Sequence, residues 1–186
     1  MTARQISAGI YDHTGWAIVV CVAGDELIDK RRVELVDPHL PSMPHHHACQ
    51  HLPIDEAVAL VARVRDSAES CSRTALDALP AGVRSIAIRR RPTLPPTVAG
   101  RIQSYYAQTR ADGVMYRDAL EKAALERGWR VHEYEAKTVL ADAAEVLELV
   151  GDITSWLNVI GKRLGRPWTK DHRLAAAAAI VALQEK

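Results

Sequence analysis

The stretch Gln5-Ile-Ser-Ala-Gly-Ile-Tyr-Asp-His-Thr-Gly-Trp-Ala-Ile-Val-Val-Cys-Val-Ala-Gly-Asp25 holds two apolar runs separated by a tight turn and closed by a second. Gln5 to Tyr11 is a short apolar run of strand length, and His13-Thr14-Gly15 is a turn. Trp16 to Ala23 is a nearly continuous apolar strand, Gly24-Asp25 turns the chain again, and Glu26 to Val36 alternates as a third strand. Connections this short join antiparallel neighbours, so the chain opens with a three-stranded meander.

Working outward, Pro38, Pro41, Pro44 and Pro53 bracket a His/Pro-rich loop over 37–53, where the proline density argues against any regular element. After Pro53 the period becomes helical. Ile54, Val58, Val61, Ala62 and Val64 share a face, with Asp55 and Glu56 in the first turn, where they suit the helix dipole. This helix is expected to reach about Leu79, before Pro80-Ala81-Gly82. Val83 to Ile88 is read as strand four. A helical region from about Thr97 to Arg127 follows, with a break expected at Gly113 and a stop at Gly128. Trp129 to Tyr134 is strand five. The part 138–186 is helical in pieces, and its alanine-rich end, Lys170 to Gln184, is apolar around most of its circumference, so a sheet face is expected to cover it.

The expected architecture is α/β: a mixed five-stranded sheet, three antiparallel strands and then two parallel ones, flanked by helices. With 186 residues and no long linker, the chain is expected to form a single domain over 1–186. The balance of 48% hydrophobic and 25% charged residues is that of a globular protein with a substantial core. Three cysteines, an odd number without CxxC spacing, argue against a secreted disulfide framework. No run approaches the roughly 18–20 apolar residues of a membrane span, and Met1 to Ala8 lacks the apolar core of a signal peptide. The expected location is cytoplasmic, with no membrane partner. A net charge of +1 gives no general basic excess, so contact with nucleic acid must come from local clusters such as Arg89-Arg90-Arg91. Neither GxxxxGK[ST] nor GxGxxG occurs.

Four stretches, in order along nearly the whole chain, resemble the RuvC-like resolvases of the RNase H-like superfamily. Ser7-Ala-Gly-Ile-Tyr-Asp12 with Thr14 to Val20 is similar to their first hairpin, where an aspartate ends strand one. Ala111-Asp-Gly113 with Leu120 to Leu125 resembles their glycine-containing helix, and Val131 to Val139 their fifth strand and the turn after it. Lys170-Asp-His-Arg-Leu174, leading into Ala175 to Leu183, resembles their final helix.

The resemblance implies a divergent metal-dependent nuclease acting on structured DNA or RNA, with a homodimer as its working form. Such chemistry gathers three or four carboxylates at one end of the sheet around two divalent ions about 4 Å apart. Oxygen-rich sites of that kind select Mg²⁺ or Mn²⁺. Asp12 matches the first aspartate and is the expected metal ligand. Asp171 is the expected second, one helical turn from the family's terminal acidic position near Leu174 or Ala175, with His172 assisting catalysis. Asp171 or Thr169 would equally serve as a helix N-cap, and Asp12 as a turn residue. The family's acidic residue at the end of strand four is missing: the sequence there reads Ile88-Arg89-Arg90-Arg91, whose guanidinium forks suit phosphate oxygens. The lysine expected after strand five is also absent, Val139 being followed by Leu140. These departures open an alternative, an RNase H-like domain without catalysis that works as a binding or assembly module.

Two further constellations stand outside the resemblance. His39, His45, His46, His47, Cys49 and His51 crowd one loop, and His47, Cys49 and His51 form an alternative zinc set, against a solvated, pH-sensitive loop as the plainer reading. Tyr105-Tyr106, flanked by Arg101 and Arg110, could stack bases as single-strand binders do, or be ordinary helix packing.

Overall fold

The structure, a computed structural model, describes residues 5–184. Strands β1 (Ile6–Asp12), β2 (Trp16–Ala23) and β3 (Glu26–Glu34) form the opening meander, and β4 (Val83–Arg89) and β5 (Arg130–Tyr134) complete one five-stranded sheet. The order across it is β3-β2-β1-β4-β5. The first three strands pair antiparallel, while β4 runs parallel to β1 and to β5. This is the mixed sheet expected from the sequence.

Helices cover both faces, which explains why β2 reads as unbroken apolar sequence. Along β2, Ala17, Val19 and Cys21 face α1 (Ile54–Asp77) and α3 (Tyr105–Glu126), while Ile18, Val20 and Val22 join the core formed with α4 (Val139–Val146), α5 (Ile153–Gly161) and α6 (Lys170–Gln184). A short helix, α2 (Val98–Gln103), leads into α3. The alanine-rich α6 lies flat on the sheet, with Ala175 to Ala179 fully buried. Gly9 is what allows it: a Cβ there would come within 1.8 Å of the Ala175 carbonyl oxygen. The small residues of both partners let helix backbone meet strand backbone.

Two local expectations are corrected. The helical region breaks at Ser104 rather than at Gly113, because the Ser104 hydroxyl caps α3 by accepting from the Ala107 amide, and α3 then runs unbroken through Gly113. The 37–53 loop does contain a regular element, a single π-helical turn at Pro44–Ala48. The Asp112 carboxylate on α3 holds it, accepting the His45 amide at 2.9 Å and the His46 amide at 3.2 Å. Among the described residues no helix is long and apolar enough to cross a membrane.

Candidate functional site

Parallel pairing brings the C-terminal ends of β1 and β4 to the same edge of the sheet, where β1 has an antiparallel neighbour on one side and a parallel one on the other. A crevice at such a switch of direction is a common ligand position in α/β sheets. Here it is a cleft of about 500 Å³, whose lining includes Asp12, Arg89, Arg90, Arg110, Gly113 and Arg117.

Asp12 ends β1 with only 1% of its surface exposed, and its carboxylate is fully engaged. Arg89, ending β4, donates from Nε to Oδ1 at 2.8 Å and from NH2 to Oδ2 at 2.8 Å. The same NH2 donates to the Asp12 carbonyl at 2.6 Å. Arg117 on α3 donates from Nε to Oδ2 at 3.0 Å. Two guanidiniums thus clamp one buried carboxylate, the paired and hydrogen-bonded state that a charge out of water requires. Burial opposes the Arg89 charge, but its hydrogen bonds to Asp12 and the aspartate's field outweigh that and keep it protonated well above the usual range. The Tyr134 phenol, buried beneath and bonded to the Ile10 carbonyl at 2.8 Å, is pushed up in pKa by burial and by Asp12.

Gly113 makes room for the second guanidinium. It sits one turn before Arg117, and side chains on a helix lean back over the preceding turn. A Cβ at Gly113 would stand 3.1 Å from Arg117 NH2 and 3.9 Å from Asp12 Oδ2. The glycine that the sequence suggested as a helix break therefore opens the helix surface to the Asp12 clamp.

The three consecutive arginines separate into different roles. Arg89 is committed to Asp12. Arg91 is held among acids, donating to Glu133 at 2.8 Å, to Asp118 at 3.0 Å and to Glu121. Arg90 is exposed, with NH1 3.5 Å from Glu135. Arg89 is the last residue of β4, and Arg90 and Arg91 lie past its end, where the chain leaves the sheet and each guanidinium meets different partners.

The sheet does not bring Asp171 and His172 into the clamp. Asp171 pairs with His13, its Oδ2 lying 3.0 Å from Nε2, and the His13 ring stacks on Trp16 at 4.0 Å. His172 is buried, and its Nδ1 accepts the Thr169 amide at 3.2 Å at the entry to α6. Burial, and then the charge of Lys30, lower its pKa below the usual histidine value. In the alternative zinc set, Cys49 is buried and donates from Sγ to the Ala57 carbonyl at 3.3 Å, while His47 and His51 face solvent. Burial first, and Asp112 second, raise the pKa of the Cys49 thiol, which disfavours the thiolate a metal needs. Among the described residues, no group of three or more His, Cys, Asp or Glu side chains gathers so as to hold a metal ion.

The Mg²⁺ or Mn²⁺ implied by the resemblance does not fit the residues present. Both Asp12 oxygens already accept from cations, and the neighbouring strand end supplies a guanidinium where a second oxygen ligand would be needed. An arriving cation would have to displace two positive groups from a single carboxylate. Sequence reading missed Arg117, whose only signal was its position one turn after Gly113, and it missed the His45–Asp112 pair, with Nδ1 2.8 Å from Oδ1.

No protein-family model and no curated protein matches the chain. Among solved structures, Thermus thermophilus RuvC in complex with a Holliday junction substrate is similar over 95% of this chain and 91% of that one, with 15% sequence identity and a TM-score of 0.53. A second Thermus thermophilus RuvC structure covers 95% and 92%, with 16% identity and a TM-score of 0.49. The strand order described above, together with the likeness to the junction-bound structure over nearly the full length of both chains, makes the fold of this protein a divergent RuvC-like version of the RNase H-like fold.

Proposed function

We propose that this chain is a nucleic-acid-binding module of RuvC-like fold that seats backbone phosphate in an arginine-lined cleft without a metal ion. The observation that carries the reading is the double guanidinium clamp on Asp12. Where metal-dependent cleavage needs converging carboxylates, the cleft has four arginines, Arg89, Arg90, Arg110 and Arg117, lined up with a single aspartate. Its local charge is therefore strongly positive although the chain as a whole carries only +1. Arg90 and Arg110 are exposed and face incoming phosphate, whereas Arg89 and Arg117 are oriented from behind by Asp12. Fixed cations of this kind suit the oxygens of a phosphodiester and need no reorganisation on binding. The solved structure with the same fold holds a Holliday junction substrate, which supports nucleic acid as the class of partner.

The test is binding of fluorescein-labelled four-way junction, duplex and single strand in EDTA and in Mn²⁺. Expected is affinity that is indifferent to EDTA, falls with salt, and weakens in R90Q/R110Q with a shallower salt slope by about one to two charges. Strand cleavage that appears with Mn²⁺ and disappears in Asp12→Asn would overturn the reading in favour of the nuclease. Absence of affinity for all three ligands would overturn it as well.

A further inference from the structure

The face of α3 that carries Arg117 continues outward to the exposed ring of Tyr106, with the exposed ring of Tyr105 next to it in sequence and about 100° round the helix. Tyr106, Arg110, Gly113 and Arg117 follow one another at spacings of four, three and four, a single stripe along the helix. It rises about 16 Å from Tyr106 to Arg117 at the helical pitch. Tyr105 and Tyr106 are 78% and 56% exposed, which is unusual for rings of this size on a packed domain. The Arg110 guanidinium lies over the Tyr106 ring at 3.9 Å, while Arg110 and Thr109 also line the arginine cleft. Arg110 therefore joins a stacking surface to a phosphate-binding one.

We infer that this shelf stacks unpaired nucleobases, so that the preferred ligand of the cleft is a single-stranded segment and not continuous duplex. The inference rests on the nucleic-acid reading above and adds the strand class to it. A base inside a duplex has both faces occupied by its neighbours, and only an unpaired base offers one to a ring. Aromatic rings beside a cationic track are the features by which a single strand is held without sequence readout. The arginines take the backbone, which both ligand forms possess. The tyrosines take the bases, which only the open strand presents.

The experiment measures anisotropy of a labelled dT12 strand and of a 12-bp duplex with wild type, Y105A/Y106A and Y105F/Y106F. Circular dichroism and the thermal midpoint check that the exposed substitutions leave the fold unchanged. Expected are tighter binding of the strand than of the duplex by wild type, and a loss of about five- to one-hundred-fold for the strand in Y105A/Y106A. Duplex affinity stays at the wild-type value, and Y105F/Y106F restores strand binding because it keeps the rings. Equal wild-type affinity for strand and duplex, with no effect of the alanine pair, overturns this inference and leaves the phosphate cleft standing. An equal loss for both ligands assigns the tyrosines to the backbone and also overturns it. Binding of neither ligand overturns the inference together with the function it rests on.

Discussion

Replacing Asp12 by Asn separates the clamp from a metal site by its effect on stability. The carboxylate accepts three side-chain hydrogen bonds from two guanidiniums, and Asp12 is 1% exposed. Asparagine keeps one acceptor oxygen and turns an NH2 group towards the remaining donors. With its oxygen at the Oδ2 position it retains two of the three bonds; at the Oδ1 position it retains one. Either way the counter-charge for Arg89 and Arg117 is gone. Removing one partner of a buried ion pair costs roughly 3–5 kcal/mol. The Arg89 side chain is 26% exposed and regains some water, so the lower end, about 3 kcal/mol, is expected. For a chain of this size that is a fall of roughly 6–12 °C in thermal midpoint. Urea unfolding followed by the fluorescence of the four tryptophans measures it, and D12N/R117M should lose less than the sum of its single variants because both partners of one contact are gone. A carboxylate kept for metal behaves in the opposite way, since its removal relieves repulsion or changes little. Asp12→Asn within about 0.5 kcal/mol of wild type would refute the clamp as a structural ion pair.

Gly9→Ala should be among the most damaging single-methyl additions in the chain. Its Cβ would meet backbone, not a movable side chain, at 1.8 Å, so α6 must lift from the sheet. A loss of roughly 3 kcal/mol or more is expected in chemical denaturation, at or beyond the upper end of overpacking costs, and a loss below about 1 kcal/mol would contradict the flush packing. His172 makes the protein acid-sensitive with a defined sign. Its folded pKa is lowered by burial and by Lys30, so the unfolded chain takes up the proton first. The stability it contributes is complete above about pH 6.5, the unperturbed value, and is lost as the pH falls through the lower folded value. NMR titration of the ring should place its midpoint below 6.5; a midpoint at or above 6.5 would contradict the buried neutral acceptor of the Thr169 amide.

The fold was legible before any coordinates because it is written in local periods. The apolar strands joined by tight turns dictated the meander, the switch to helical spacing at Ile54 marked α1, and the alanine face of α6 announced its burial. These signals are contained within a few turns or one strand, and they agree with one another. The missing acid at the end of strand four was also legible as the run Ile88 to Arg91. What that run does was not. Arg89, Arg90 and Arg91 are adjacent in sequence, yet one grips Asp12, one faces solvent and one is held among Glu121, Glu133 and Asp118. Only the parallel pairing of β1 with β4, 77 residues apart at the Asp12–Arg89 contact, sets a guanidinium on that carboxylate. Only the passage of α3 over the same strand ends adds Arg117 from 105 residues away. A charge is defined by what stands within a few ångströms of it, and the sequence gives no distances between segments. That is why Asp12 looked like the start of a metal site in the sequence and is the anchor of an arginine clamp in the folded protein.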